Sequence, residues 1–248
     1  MKKFTLWMVL FMLWFSVGVV AQKVSDSTLE KSDSTLTEKK KPLQGLDFGA
    51  DLVSRYIFRG LDYGSSPAVQ PYFSYSYKGF TLGAWGSYAF IATPTGIEAD
   101  LYATYDFDFG LSLGITDYYF PVEDLKLLPD SVIKPVRLGS YFDYQGHHYF
   151  EASITQRYKG LYASFYYGFH NLDQAVYAEL GYEYEWLTFF AGAGNKLYSQ
   201  SGKFNLVNVG VKAQKEIRIA KNYSIALFSS VILNPNAEQI HLVFGVGL

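Results

Sequence analysis

Hydrophobic and polar residues alternate with a period of two along most of this chain. Within 97–108, for example, Ile97 and Leu101 fall on one face of an extended segment, while Glu98 and Asp100 fall on the other. A β-strand separates such residues completely, whereas a helix would scatter them around its circumference. The pattern therefore predicts strands that each have one apolar and one polar face.

The alternation recurs in about twelve segments after Gly45. Each segment has roughly the length that a tilted strand needs to cross a bilayer, which is about 9–11 residues. Such repetition predicts an all-β fold. The predicted strands cover 46–59, 68–78, 80–91, 97–108, 109–120, 147–158, 161–170, 175–185, 187–198, 204–216, 222–233 and 239–248.

The connections between the predicted strands alternate in length. Short ones include 78–79 and 159–160, and longer ones include 61–66 and 121–146. Outer-membrane barrels have this alternation, because their periplasmic turns are short and their extracellular loops are longer. The sequence therefore predicts a transmembrane antiparallel up-and-down β-barrel of about twelve strands. An even strand number would place both chain ends on the periplasmic side.

A soluble β-sandwich also has alternating strands and is the main alternative fold. Strands of globular proteins are commonly about 5–6 residues long, which is shorter than the segments predicted here. The apolar faces also carry aromatic residues near their ends, such as Phe58, Tyr77, Phe90 and Phe169. Rings at these positions are typical of the aromatic girdles of membrane barrels. The aromatic pattern thus favours the membrane barrel.

Composition agrees with a barrel whose two faces differ. Aromatic residues make up 19% of the chain and charged residues 18%, while mean hydropathy is near zero. A bundle of transmembrane helices would be far more apolar. The net charge of −2 gives no basic surface for nucleic acid, and the lack of cysteine excludes disulfides, thiolate metal sites and a cysteine nucleophile.

The N-terminal residues predict export. Lys2 and Lys3 precede an almost purely apolar run from Phe4 to Val20, and small residues follow. This is the form of a cleaved secretory signal peptide, predicted over 1–21, with an uncleaved helical anchor as the alternative. Envelope or extracellular chemistry then applies.

Residues 22–44 are polar and repeat the sequence Ser-Asp-Ser-Thr-Leu. A segment of this composition buries too little apolar area to offset its ordering entropy. It is predicted to be a flexible periplasmic N-terminal tail, and a partner-binding segment is the alternative. The barrel is predicted to occupy 45–248.

One region resembles a known family. The motif Ser-Arg-Tyr-Ile-Phe-Arg-Gly at 54–60 is followed by Pro-Ala-Val-Gln at 67–70, Lys-Gly-Phe at 78–80, Gly83, Trp-Gly-Ser at 85–87, Glu98, Asp100, Tyr102, Tyr119 and Pro121. This pattern is similar to the TorF-type family of bacterial proteins described as outer-membrane porins. The resemblance covers about residues 48 to 121, with a weaker similarity over 149–158. It implies a monomeric or small-oligomer barrel in the outer membrane and supplies no substrate.

If the apolar faces meet lipid, the polar faces line the lumen. Seven of the 21 Lys and Arg residues and four of the 23 acids precede Gly45, which leaves 14 bases and 19 acids in the predicted barrel. A narrow channel lined by carboxylates favours cations, so a weak cation preference is expected. The candidate pore-lining residues are Asp47, Asp51, Arg55, Arg59, Glu98, Asp100, Asp106, Glu151, Arg157, Glu179, Glu183 and Lys212.

The sequence thus predicts a porin-like channel for passive diffusion of small hydrophilic solutes or ions. A non-conducting structural or adhesion barrel is the first alternative, because opposed charges such as Asp51 and Arg55 can pair across a plugged interior. The long segment 121–146 could fold inward as a constriction or cap the mouth. Arg59 is expected near the mouth, where it would pair with acids or contact lipopolysaccharide phosphate.

An outer-membrane enzyme is the second alternative, but no catalytic residues are predicted. His147, His148 and His170 fall near one end of neighbouring predicted strands and are weak candidates for a metal site or catalytic cluster. Their spacing matches no diagnostic motif, so interfacial histidines are the simpler interpretation and no cofactor is expected. The expected partners are outer-membrane lipid and lipopolysaccharide, small hydrophilic solutes, and the barrel-assembly machinery, which would act on the alternating apolar residues at 242–248.

Overall fold

Twelve antiparallel strands close into a barrel in the computed structural model, which describes residues 45–91, 96–120, 148–221 and 223–248. Two further short strands, β2 (Ile57–Phe58) and β3 (Leu61–Asp62), pair with each other as a separate hairpin. The barrel strands are β1 (Leu46–Val53), β4 (Ala68–Tyr77), β5 (Phe80–Ala89), β6 (Ile97–Asp106), β7 (Leu111–Tyr119), β8 (His148–Tyr158), β9 (Leu161–His170), β10 (Val176–Tyr184), β11 (Leu187–Lys196), β12 (Gly202–Ala220), β13 (Tyr223–Asn234) and β14 (Gln239–Gly247).

Strands β4 to β14 lie side by side in chain order, and β1 closes the barrel between β14 and β4. At this closure, Asp51 of β1 lies opposite Gln70 on one side and Gly247 on the other. The prediction of an up-and-down barrel of about twelve strands is therefore confirmed. In the described ranges, no helix is long and apolar enough to cross a membrane.

The two ends of the barrel differ in their connections. Tight turns at 78–79, 159–160 and 185–186 lie at the same end as both termini of the barrel, which we call the turn end. The longer connections, such as 54–67 and 197–201, lie at the opposite end, which we call the loop end. The predicted alternation of short and long connections is thus present.

The barrel strands place their apolar side chains outward. Phe48, Leu180 and Ile240 are 70%, 66% and 68% exposed, although each belongs to the apolar face of its strand. Residues next to them in sequence point into the lumen, because successive side chains of a strand alternate between its faces. The predicted division into an apolar outer face and a polar inner face is therefore observed.

The buried apolar cluster of the molecule lies inside the loop end and not between two sheets. Its partly buried members include Phe58 and Leu61 from the β2–β3 hairpin. The hairpin thus adds apolar side chains to this cluster. The fully buried members are Leu172, Ala175, Tyr177, Tyr198 and Val207.

The first predicted strand, 46–59, is too long. Strand β1 ends at Val53, and the chain then reverses at Arg59 and Gly60, whose φ angles are +51° and +81°. Two successive residues with positive φ form the two-residue turns of tight hairpins, in which glycine is favoured at the second position. Strand β12 is longer than predicted, at Gly202–Ala220 instead of 204–216.

Several predictions fall outside the described residues. The signal peptide at 1–21, the tail at 22–44, the long segment 121–146 and the candidate metal ligand His147 are among them. They stay predictions.

Candidate functional site in the lumen

The connection between β1 and β4, residues 54–67, folds into the lumen at the loop end, and we call it the lumen hairpin. Tyr56 packs on the ring of Trp85 from β5 at 5.3 Å between ring centroids, and Phe58 packs on Tyr118 from β7 at 5.8 Å. On the other side, the Asn234 amide of β13 donates a hydrogen bond of 3.1 Å to the carbonyl of Gly60. Contacts with strands on several sides of the barrel place the hairpin inside it.

At Gly60 the backbone of the hairpin lies in close contact with the barrel wall. A Cβ atom at this position would lie 2.0 Å from the carbonyl oxygen of Val207 in β12. The positive φ of Gly60 is also a conformation that L side chains rarely adopt. Glycine is therefore required here for both the turn and the close approach.

The side chain of Arg59, at the tip of the hairpin, forms a bidentate ion pair with Glu151 of β8. Arg59 Nη1 lies 2.6 Å from Glu151 Oε2, and Nη2 lies 2.8 Å from Oε1. The two side chains are only 7% and 2% exposed. A planar guanidinium matches a carboxylate in this parallel arrangement, which is among the strongest hydrogen-bonded pairs in proteins.

Tyrosine hydroxyls complete the hydrogen bonding of this pair. Tyr118 donates to Glu151 Oε1 at 2.8 Å, and Tyr198 donates to Oε2 at 2.9 Å. The Tyr198 oxygen also accepts a hydrogen bond of 2.5 Å from Arg59 Nη1. Removal of a charged pair from water is favourable only when such additional bonds satisfy it, and here they do.

Four aromatic rings surround the guanidinium carbon of Arg59. The centroids of Tyr166, Tyr177, Phe58 and Tyr198 lie at 4.1, 4.5, 4.6 and 4.9 Å. Each ring face attracts the cation through its quadrupole. Burial by itself acts to lower the pKa of Arg59, but the hydrogen bonding and charge of Glu151, together with Tyr118 and Tyr198, hold this pKa above its ordinary value. The guanidinium is therefore charged inside the lumen.

A second carboxylate, Glu179 of β10, is held by similar hydrogen bonds, and no cation pairs with it in the part of the chain that the structure describes. Tyr162 donates to its Oε1 at 2.9 Å, and the Asn208 amide donates to its Oε2 at 3.1 Å. Tyr177 also donates to Oε2, and Asn208 donates to the Tyr177 oxygen at 2.9 Å. Tyr177 therefore links this network to the ring cage of Arg59.

Glu98 and Asp100 of β6 form a buried acidic pair beside the hairpin. They are 2% and 6% exposed. Glu98 Oε2 and Asp100 Oδ1 have no hydrogen-bond partner in the part of the chain that the structure describes. The loop end thus buries more carboxylate than it pairs with cations.

The turn end of the lumen has no comparable filling. Asp47, Asp106, Arg157 and Glu183 lie there on inner faces of their strands and are exposed to solvent. Arg157 lies over the ring of Tyr162 at 5.9 Å. These side chains are therefore accessible to water.

Ten of the twelve candidate pore-lining residues lie on inner faces of barrel strands. The two exceptions are Arg55 and Arg59, which were predicted on the first strand and instead belong to the lumen hairpin. Arg55 is ion-paired with Asp62 within the hairpin.

Sequence reasoning placed Arg59 and Glu151 in the lumen but did not pair them, and it named no individual tyrosine among the candidate site residues. A signal for the hairpin was present, because Arg59-Gly60 has the same form as the turns Lys78-Gly79 and Lys159-Gly160. All three pairs have positive φ at both residues. The tyrosines of β7, β9 and β10 could have been found from their positions on the polar face of the alternation.

The described candidate metal ligands do not form a metal site by themselves. His148 Nδ1 lies 2.9 Å from both carboxylate oxygens of Asp117, and His170 packs on the Phe150 ring at 5.6 Å. Among the described residues, no group of three His, Cys, Asp or Glu side chains could hold a metal ion. The predicted metal site with His147 is therefore not tested by the described residues.

These features define an outer-membrane-type β-barrel whose lumen is occupied at one end by a charged hairpin. The chain belongs to a bacterial protein family of unknown function, designated Gcw_chp, whose family model matches residues 42–196. This match carries no porin designation, so the TorF-type resemblance stays a prediction. No curated protein matches the chain.

Among solved structures, the chain is similar to the outer membrane phospholipase (OMPLA) of Salmonella typhi, crystallised as a dimer with bound calcium. The match covers 86% of this chain and 93% of the phospholipase chain, at 10% sequence identity and a TM-score of 0.39. A likeness of this degree carries no argument about activity.

Proposed function

We propose that the protein is an outer-membrane, porin-like channel for small hydrophilic solutes or ions, and that the lumen hairpin closes it. One observation carries the proposal: the loop end of the lumen is filled by a separate segment of chain, residues 54–67, while the turn end is charged and open to water. A segment held by side-chain contacts can move out of the lumen. If side chains of the barrel wall filled the lumen instead, they could not move out of it in this way.

The size of the barrel supports a conducting lumen. Barrels of about eight strands are filled by their own side chains, and those of about sixteen or more enclose a wide aqueous channel. Twelve strands lie between these cases. Withdrawal of the hairpin would leave a lumen wide enough for small solutes but narrower than that of the large porins.

The proposed location is the bacterial outer membrane. Its support is the exposed apolar belt of the barrel, including Phe48, Leu180 and Ile240, together with the signal peptide predicted at 1–21. A soluble barrel would not expose so many large apolar side chains in one band. Lipid and lipopolysaccharide would cover this belt, and the barrel-assembly machinery would insert the protein.

A weak preference for cations is part of the proposal. Glu98, Asp100 and Glu179 lie on the lumen wall, and exposed Asp47 and Glu183 lie at its turn end. Arg59 is the buried base of the loop end and is neutralised by Glu151. With the hairpin withdrawn, the wall would carry an excess of carboxylates, which favours cations.

A planar-bilayer recording tests the function. Purified refolded protein is compared with a variant in which residues 55–66 are replaced by a short Gly-Ser linker. The full chain should give rare or small current steps, and the shortened chain should give larger and longer openings. A shortened chain that folds as a barrel and leaves the bilayer silent would contradict the channel.

The second candidate is a non-conducting structural or adhesion barrel. The burial of Arg59 and its bidentate bond to Glu151 favour this candidate, because they hold the hairpin firmly. The same recording separates the two functions. Both candidates are non-enzymatic, and neither needs a cofactor.

A further inference from the structure

The groups that hold the Arg59 guanidinium belong almost entirely to the barrel. Glu151, Tyr118, Tyr166 and Tyr177 lie on barrel strands, and Tyr198 follows β11. Phe58 is the one ring of the cage that belongs to the hairpin. If the hairpin withdrew, the carboxylate and three of the four rings would stay in place. The barrel therefore contains a preformed site whose present occupant is one of its own side chains.

The chemistry of this site is selective for a planar cation. Glu151 offers both oxygens in one plane, and the hydroxyls of Tyr118 and Tyr198 fix its orientation. Tyr198 also accepts a hydrogen bond from the cation. A guanidinium presents two parallel N–H groups to such a carboxylate and a flat surface to the rings, whereas an ammonium is a compact point charge.

We propose that this site binds guanidinium-bearing solutes, and that Arg59 occupies it as an internal substitute for the solute. The proposal deepens the channel function, because a solute that competes with Arg59 for Glu151 would also release the hairpin. The binding site itself does not depend on conduction. It can therefore be tested separately from the channel.

An inorganic cation fits the site less well. Among the described residues, Glu151 is the one carboxylate paired with Arg59, and Mg²⁺ or Ca²⁺ requires six or more oxygen ligands. The rings of Tyr166 and Tyr177 offer π faces to the cation, and Tyr198 adds one hydroxyl oxygen, which is far short of such a ligand set. Aromatic rings around one carboxylate are instead the arrangement that recognises organic cations.

The direct experiment is chemical rescue of Arg59→Ala. This substitution removes the atoms that correspond to N-ethylguanidinium and leaves a polar cavity of matching shape. Binding of N-ethylguanidinium to the refolded variant in detergent is measured by isothermal titration calorimetry. We expect saturable binding in the millimolar range, and much weaker binding to the unchanged protein, because the solute must first displace Arg59 from the site.

Three controls make the result specific. N-ethylurea has the same shape without the charge and should not bind, and ethylammonium should bind more weakly. The double variant Arg59→Ala, Glu151→Gln should bind N-ethylguanidinium about 30-fold more weakly or worse, since the buried charge loses its partner. Arg157→Ala removes an exposed arginine at the turn end and should create no site.

The proposal is overturned if folded Arg59→Ala binds no N-ethylguanidinium, or binds ethylammonium equally well. If the variant fails to refold alone, the refolding yield becomes the measurement. Recovery with N-ethylguanidinium but not with N-ethylurea supports the site, and equal yields overturn it. Failure of the channel would instead appear as a silent bilayer, with binding in detergent unaffected.

Discussion

The two halves of the lumen carry the same types of residue in different surroundings. At the loop end, Glu98 and Glu151 are each 2% exposed, and Arg59 is buried among aromatic rings. At the turn end, Glu183 and Arg157 face water. The strand pattern is the same in both halves, so the difference comes from the connections at the loop end. The lumen hairpin packs there against residues of other connections, such as Leu172 and Tyr198, and together they bury the charged groups of that half.

The comparison also shows how a buried charge is tolerated. A charged pair removed from water is stable when its geometry is good and its remaining hydrogen-bonding capacity is used. The Arg59–Glu151 pair meets both conditions through Tyr118 and Tyr198. The charges of the turn end need no such partners, because water solvates them.

The largest loss of stability is expected from Glu151→Gln. It leaves the Arg59 charge buried without its carboxylate, which costs about 3–5 kcal/mol when a buried pair is broken. Hydrogen exchange of the amides of residues 56–63 should become much faster, because the hairpin leaves the lumen. Glu183→Gln at the turn end is the matched control and should change the free energy of unfolding by less than about 0.5 kcal/mol. Equal effects of the two substitutions would remove the distinction between the halves.

The second-largest effect is expected from Gly60→Ala, which should displace the hairpin. An added Cβ would clash with the Val207 carbonyl oxygen at 2.0 Å, and positive φ costs a non-glycine residue about 1–2 kcal/mol in addition. The hairpin should be displaced, which a bilayer recording would show as more frequent openings. Gly202→Ala is the control, since Gly202 also has positive φ but no atom within 4 Å of the added Cβ. If Gly202→Ala opens the channel as often, close packing of the hairpin tip is not what closes the lumen.

A smaller effect is expected from Tyr198→Phe. The ring stays over Arg59, but the hydroxyl that bonds both Arg59 and Glu151 is lost. A hydrogen bond of this kind contributes about 1–3 kcal/mol, and urea unfolding in lipid vesicles would measure the loss. Tyr158→Phe, at an exposed tyrosine, should leave stability unchanged. If Tyr198→Phe leaves the free energy of unfolding unchanged, the ring and not the hydroxyl holds Arg59.

The fold was largely predictable from the sequence, because the alternation of apolar and polar residues specifies strands, faces and approximate ends. The hairpin was not predicted, since Tyr56 and Phe58 continue the apolar face of β1 across Ser54. The Arg59-Gly60 pair did carry a turn signal that the alternation concealed.

The pairing of Arg59 with Glu151 lay beyond sequence reasoning for a different reason. The two residues are 92 positions apart, and their contact depends on barrel closure and on the depth to which the hairpin inserts. Alternation predicts that a residue faces the lumen but not which residue lies across from it. The alternation likewise predicts that the tyrosines on the strands face the lumen. It does not predict that they all contact Arg59.

The smallest effect concerns ion selectivity at the turn end. Asp47→Asn combined with Glu183→Gln removes two exposed carboxylates from the lumen of the hairpin-shortened variant. The reversal potential in a salt gradient should shift toward zero, because cation preference depends on wall charge. Anion selectivity before the substitutions would contradict the expected preference.

The central claim, that the hairpin closes the lumen, is tested most directly by tethering it. Tyr63 of the hairpin stacks on Phe120 beyond β7, with ring centroids 6.3 Å apart. The chain has no cysteine, so Tyr63→Cys with Phe120→Cys gives one unique pair for a short reducible cross-linker. Single-channel recording should show a quiet bilayer in the cross-linked state and current steps after reduction. Equal currents in both states would contradict the claim.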